Sequence, residues 1–336
     1  MVEAITQERI YEPVAEDLQA VIAEIATIAD KAPENAPEHA QDLDAQLGHV
    51  LATPGKRVRP ALTLLTSRLW GQREGEGEMP IKMATAVELL HIATLVHDDT
   101  VDHADTRRGH QTASKLWGRN VAVLIGDFVF ATSAMYVCDT NNVRLVRRFA
   151  ETITELARGE LNEIYTAWQP GVTLKDYNNR IYDKTASLFC TSAESGAVLG
   201  GADDKAANKV RDYGYNIGMA YQVYDDLLDY RATSEELGKP AGHDLSEGIL
   251  TLPAIIAAEN GASEEILSFL NAPEEARADL LPTAIEAIKR TGALEKTHEV
   301  ATGYIETATR CLDDIPPSES LDSLLALAEY VQTRNY

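Results

Sequence analysis

The sequence predicts an all-α protein, one helical bundle spanning residues 1–336, and three observations support this. Apolar residues recur three and four apart almost throughout, as in Val14, Leu18, Val21, Ile22 and Ile25 near the start and Leu321, Leu324, Leu325, Leu327 and Ala328 near the end. That spacing lines one face of a helix. No run of apolar–polar alternation of the kind that makes a strand interrupts it. Gly and Pro gather at 33–37, 54–60, 71–80, 109, 170–171, 200–201, 238–248 and 316–317, which punctuates the chain without dividing it into repeats or joining domains by a linker.

Between those breaks the periodicity predicts long helices over residues 80–103, 118–138, 143–167, 174–199 and 203–230, with shorter ones around them. The composition is 45% hydrophobic but only 6% aromatic, so the core is built from Ala, Leu, Ile and Val. Lys and Arg number 30 against 53 Asp and Glu, a formal charge of −23, which disfavours nucleic acid and anionic lipid as partners. An anionic ligand must then meet a local basic cluster or a metal. Cys138, Cys190 and Cys311 are far apart, which argues against a disulfide framework and a cysteine zinc site. The opening residues MVEAITQERI lack a basic segment followed by an apolar run, and no uninterrupted apolar stretch approaches the ~20 residues that span a bilayer. The expectation is a cytoplasmic protein without a transmembrane segment.

Two segments carry the chemistry. In the first, Asp98 and Asp102 lie four apart near the end of a predicted helix, on one face, with Asp99 beside them. Like charges at that spacing repel, and the helix macrodipole disfavours anions there. Mg²⁺ takes one or two carboxylates and leaves its other positions to water and phosphate, so the pair suits that ion. Taken alone, the pattern fits a solvated acidic helix end equally well. Arg107 and Arg108 follow directly, and guanidinium groups bind phosphate bidentately, so a metal–diphosphate site makes chemical sense. In the second segment Gln222, Asp225, Asp226 and Asp229 fall at steps of three or four along one stripe. If the two stripes face each other, up to six carboxylates converge, which is unfavourable unless cations and an anionic ligand complete the site. A Gly-rich loop after the second segment carries Lys239 and Asp244; it reads either as an ordinary surface connection or, as loops of this length more often are, as a functional segment that could close over a phosphate. His97 and His103, beside the acids, read as supporting groups.

Lys56, Arg57 and Arg59 add a basic cluster at a helix start. With it, the chain from about Gly55 through Pro253 resembles the trans-isoprenyl diphosphate synthases, also called polyprenyl synthetases. The segments GKRVRP, HDDTVDHADTRRG, DKT, QVYDDLLD and GKPAGHDLSEG stand in the order that family shows. The resemblance implies an orthogonal helical bundle around a central cavity, of the isoprenoid synthase type, normally a homodimer. It also implies that Lys56, Arg59, His91 and Arg108 hold isopentenyl diphosphate. Asp98 and Asp102, helped by Asp99, would ligate two Mg²⁺ ions on the allylic diphosphate, and Asp225 with Asp226 and Asp229 a third. Arg107, Lys184 and Lys239 would contact the allylic diphosphate, while Thr185 and Gln222 would lie near the developing cation. His243 stands where relatives often carry Asn, and Ile249 where many carry Lys.

Ala93 and Thr94, one turn before Asp98, are small where short-chain relatives often carry an aromatic residue. That implies a product longer than farnesyl diphosphate, with a floor formed from residues such as Phe130, Met135 or Phe149. Two rival readings keep part of the pattern: a noncatalytic subunit of a heteromeric prenyl synthase, which would have lost some of these groups, and a class I terpene cyclase, which has less use for GKRVRP and His91.

Overall fold

The computed structural model describes residues 6–31, 40–52, 55–71, 77–231 and 242–333. Helices α1 (Gln7–Tyr11), α2 (Ala15–Lys31), α3 (Ala40–Leu51), α4 (Val58–Ser67) and α5 (Glu78–Val101) precede a short hairpin of β1 (Thr106–Arg107) and β2 (His110–Gln111). Then come α6 (Ala113–Trp117), α7 (Arg119–Asp139), α8 (Val143–Thr166), α9 (Leu174–Ile181), α10 (Ser187–Leu199) and α11 (Asp204–Arg231). The chain closes with α12 (His243–Ser246), α13 (Leu252–Ala257), α14 (Ser263–Leu270), α15 (Glu274–Arg290), α16 (Ala293–Cys311) and α17 (Glu319–Thr333). The all-α expectation holds.

Local chemistry sets the helix starts. Asn142 Oδ1 accepts the Leu145 N–H at 3.3 Å to open α8, and Asp203 Oδ1 accepts the Ala206 N–H at 2.8 Å to open α11. At α9 the Thr173 hydroxyl oxygen accepts the Asp176 N–H at 3.2 Å while Asp176 accepts the Thr173 N–H at 3.0 Å, a reciprocal cap. Helix α10 is buried from Ser187 to Ala197 and packs against α4, α5, α8 and α11. A helix buried on every side, with small hydroxyl side chains such as Ser187, Thr191 and Ser192 among its apolar ones, lies in the middle of a bundle. Helix α5 also packs on α7, and α11 on α16.

Two details depart from the sequence reading. The stretch expected as one helix over 174–199 is continuous but contains a π-turn at Tyr182–Ala186. The hairpin after α5 was not foreseen, because two residues per strand offer no alternation to read. Its turn puts Arg108 at φ 50° and Gly109 at φ 81°, the paired left-handed conformations that suit a two-residue hairpin.

Two observations bear on further expectations. Helices α5 and α7 are each long and apolar enough, by length and composition, to cross a membrane. An interrupted run with a few His, Thr and Ser residues still has high mean hydropathy, which a search for unbroken apolar stretches misses. Two-thirds of the apolar window of α5 is buried inside the bundle and one-third of that of α7. Met135, offered as a tunnel floor, is 67% exposed on α7 and cannot serve as one. Phe149 is buried in an apolar cluster with Met83, Val87, Leu90 and Leu188, and Phe130 packs against it.

Gly196 of α10 lets α4 approach so closely that an added Cβ would overlap Thr63 O and Thr66 Oγ1. Gly196→Ala is therefore expected to destabilise the fold by about 1–3 kcal/mol, read as a lowered midpoint in chemical denaturation. A variant as stable as wild type would show that α4 can shift freely.

Candidate active site

Helix α5 ends at the first acidic segment, and α11 carries the second within its last two turns. Between them lie α8 and the π-turn. Gly159 of α8 makes this possible: a Cβ there would sit 2.7 Å from Lys184 N, so only glycine lets α8 lie flush on the π-turn backbone. Arg158 then reaches both oxygens of Asp183, and Thr152 meets Thr191. A π-turn inserts one residue into the helical register, which turns neighbouring side chains onto a new face and commonly marks functional sites. Lys184 and Thr185 stand in that turn.

The basin has two lobes that share Asp99, Arg107 and Arg108. The smaller, about 340 Å³, is lined by Lys56, Arg57, Arg59, His91, Arg108 and Asp225 among others. Tyr11 donates to Lys56 O at 2.9 Å, and Arg57, at φ 49°, pairs with the buried carboxylate of Glu88. These contacts fix the loop that presents the cations. Arg59 Nη1 donates to His91 Nε2 at 3.3 Å and lies 4.7 Å over the Phe189 ring. A guanidinium only donates, so Nε2 of His91 is the unprotonated nitrogen. Burial, reinforced by Arg59, Arg108, Arg107 and Arg57, holds His91 well below its ordinary range, and the imidazole is neutral.

The larger lobe, about 960 Å³, is lined by Asp102, Glu160, Glu163, Lys184, Thr185, Gln222, Asp226 and Asp244 among others. Asp99 is 7% exposed and accepts Arg107 Nε at 2.6 Å, so it anchors the hairpin arginine. Burial pushes Asp98 up to about 7, aided by Glu160 and Asp102 and opposed by Lys184 and Arg107. Lys184 sits between the acids, 3.0 Å from Glu160 and paired also with Glu163. Although burial lowers it, Glu163, Glu160 and Asp98 together push the ammonium above its ordinary range.

The two acidic stripes thus meet through α8. Glu160 acts on Asp98 and also feels Asp102, while Asp244 feels Asp226, Asp229 and Glu163. Asp229 accepts the backbone N–H groups of His243 at 3.1 Å and Asp244 at 3.2 Å, which ties α12 to the stripe. Asp225 borders the smaller lobe, whereas Asp226 borders the larger, is 2% exposed and has each oxygen accepting a hydrogen bond. His97 turns away, its Nε2 lying 3.2 Å from Val123 O on α7. Lys239 lies outside the described residues.

The sequence reading passed over Glu160, Glu163, Arg180 and Tyr177. No local signal separates these glutamates from Glu151 and Glu155 on the same helix; only the packing of α8 on the π-turn does. Among the described residues no three acidic or imidazole groups already converge as a complete metal cage. The donor set nevertheless suits Mg²⁺, whose remaining positions go to water and phosphate: the hard carboxylate oxygens of Asp99, Asp102, Glu160 and Glu163 line a cavity that Arg107, Arg108 and Lys184 also line, and guanidinium and ammonium groups suit phosphate.

Residues 40–288 match the family model for polyprenyl synthetase. The chain is 37% identical over 288 residues to heptaprenyl diphosphate synthase component 2 of Geobacillus stearothermophilus, covering 86% of this chain and 88% of that protein. A solved polyprenyl synthase from Caulobacter crescentus, complexed with calcium and isoprenyl diphosphate, superposes with a TM-score of 0.85 at 32% identity over 99% of both chains. A geranylgeranyl pyrophosphate synthetase from Pyrococcus horikoshii gives a TM-score of 0.85 at 28% identity, covering 98% of this chain and 99% of that one.

The raised Asp98 carboxyl has a consequence for stability. Between its unfolded value of 3.8 and its folded value of about 7, the folded state holds a proton that the unfolded state has lost, so folding stability falls as pH rises through that window. Without metal, Asp98→Asn is expected to match wild type in thermal stability near about pH 4 and to exceed it at about pH 8. Equal melting temperatures at both ends of that range would show that the carboxyl is not held up.

Proposed function

The chain belongs to the polyprenyl synthetase family and is a prenyltransferase, and on that footing we propose that it condenses isopentenyl diphosphate with an allylic diphosphate in a Mg²⁺-dependent reaction, releasing pyrophosphate and a trans-polyprenyl diphosphate. The observation that carries this is the two-lobed basin, with carboxylates and Lys184 around the larger lobe and Lys56, Arg59, His91 and Arg108 around the smaller. Opposite electrostatic characters in adjoining lobes suit a metal-bound allylic diphosphate beside a diphosphate held by cations alone. A class I cyclase has less use for that second lobe.

Asp98, Asp102 and Glu160 on one side and Asp225 on the other are the carboxylates we assign to Mg²⁺, with three ions the expected complement. When bound, the metal supplies Lewis-acid stabilisation of the departing pyrophosphate. Lys184, Arg107 and Arg108 hold the diphosphate oxygens and neutralise the charge that builds as the allylic C–O bond breaks. The oxygens of Thr185 and Gln222 face the carbon that becomes electron-deficient. The double bond of isopentenyl diphosphate, oriented from the smaller lobe, forms the new C–C bond, and the released pyrophosphate takes the proton whose loss leaves the trans double bond.

The product we propose is geranylgeranyl diphosphate or longer. Ala93 is fully buried and Thr94 half-buried one turn before Asp98, and the cluster of Val87, Leu90 and Phe149 lies further along α5. On this reading a growing chain runs past the small side chains of Ala93 and Thr94 and stops against Phe149. A homodimer joined through α7 is supported by its outward face, where Leu124 and Met135 are each 67% exposed and Phe128 is beside them. The Geobacillus relative is named as one component of a synthase, which favours a second reading in which this chain works with a partner subunit.

The purified chain with Mg²⁺, isopentenyl diphosphate and several allylic primers is expected to elongate without another protein. Failure to elongate until a second component is added would favour the two-component reading. Mass analysis of the product is expected to show at least a geranylgeranyl chain, and Ala93→Phe to shorten it; farnesyl diphosphate alone from wild type would refute the tunnel. Asp98→Ala is expected to lower turnover at least about 100-fold. Leu124→Glu is expected to shift the dimer toward monomer in light scattering.

A further inference from the structure

Deepening the reading above and resting on it, we propose that Tyr177 is a positioning residue that orients the Thr185–Gln222 pair through Asp226. Tyr177 is fully buried on α9, and its hydroxyl donates to Asp226 Oδ2 at 2.6 Å. Gln222 Nε2 donates to the other oxygen, Oδ1, at 2.8 Å. Thr185 Oγ1 in turn donates to Gln222 Oε1 at 2.7 Å.

The directions of these bonds carry the argument. A side-chain amide has one donor end and one acceptor end of nearly equal shape, so an isolated Gln222 turns either way at little cost. Asp226 accepts the amide's donor end, which forces the carbonyl toward Thr185. Thr185 has one hydroxyl proton and spends it on that carbonyl, so its lone pairs remain for the cavity. Asp226 can rotate about its own side-chain bonds, and the Tyr177 hydroxyl prevents this by holding the second oxygen. Both ends of the relay are oriented from one buried phenol.

The relay also closes a ring in the fold. It runs from α9 to α11, along one turn of α11, across to the π-turn, and back to α9 through the continuous chain. The phenol ring is itself held: Arg180, one turn on, lies 5.9 Å from it and donates to Leu250 O at 2.7 Å. Asp226 therefore serves as an orienting acceptor beneath the reacting carbon, with both oxygens already engaged. Orientation of fixed dipoles before the charge develops is what makes them effective, because they need no reorganisation during the reaction.

Tyr177→Phe keeps the ring and removes the donor. The expected result is a fall in kcat of about 10- to 100-fold, smaller than deletion of a direct dipole, with KM for both diphosphates within about twofold. The thermal shift produced by Mg²⁺ with inorganic pyrophosphate is expected to stay at the wild-type value, and a crystal structure of the metal-free variant to show Gln222 no longer held against Thr185. The losses are also expected to be non-additive: Tyr177→Phe combined with Gln222→Leu costs no more than Gln222→Leu alone. Asp226→Asn, which leaves the Tyr177 acceptor in place but offers a donor toward Gln222, is expected to lower kcat at least as far. Wild-type kcat in Tyr177→Phe, losses that multiply in the double variant, or a pyrophosphate shift that falls along with kcat would each overturn the inference. Wild-type protein that makes no polyprenyl diphosphate would instead sink the functional reading beneath it.

Discussion

The larger lobe, on which most of the site depends, answers to one constraint: acidic side chains are gathered where two long helices end, at the poles whose dipoles least favour them. Asp98 and Asp102 crown α5, Asp225, Asp226 and Asp229 crown α11, and Glu160, Glu163 and Asp244 fill the space between. The protein eases the repulsion with only a few cations. Lys184 stands between Glu160 and Glu163, Arg107 on Asp99, and Arg180 near Glu163 and Asp226. What remains shows in the Asp98 carboxyl, pushed up to about 7 chiefly by burial, and in Asp226, raised by burial but held down in part by the hydrogen bonds from Tyr177 and Gln222. A site that resists ionisation when empty favours whatever brings positive charge and its own anion together.

The bundle is shaped to hold that arrangement rigid. Small residues bring backbones close where it matters: Gly196 seats α4 on α10 and Gly159 seats α8 on the π-turn. The π-turn interrupts an otherwise regular helix at Lys184 and Thr185, both of which line the larger lobe. The reciprocal cap of Thr173 and Asp176 starts the short helix that carries Tyr177 and Arg180 underneath. Packing, caps and hydrogen bonds therefore all act on side chains in and beneath the wall of the larger lobe.

The smaller lobe solves the opposite problem. There the cations outnumber the acids, and the chain keeps them apart with a neutral imidazole. His91 accepts from Arg59, Glu88 holds Arg57, and Asp225 closes the wall toward the other lobe. Two anionic ligands of equal charge would thereby meet different surroundings, carboxylates with Lys184 in the larger lobe and Lys and Arg in the smaller.

By itself the sequence determined the all-helical class and the bounds of the five long helices to within about two residues, and it singled out charged residues, among them Asp99, Asp102, Asp225, Asp226, Arg107 and Arg108, that the structure places around one basin. Those are properties of spacing: a period near 3.6 marks a helix, and acids three and four apart share its face. The family resemblance supplied the roles. Tertiary structure alone decided that Glu160 and Glu163 join the two acidic stripes, that Asp226 accepts from Tyr177 and Gln222 while Asp225 borders the other lobe, and that Met135 looks outward. It also decided that a turn of π-helix re-aims Lys184 and Thr185. These facts depend on which helix lies against which, and a one-dimensional pattern records the face a residue occupies but not the neighbour that face meets.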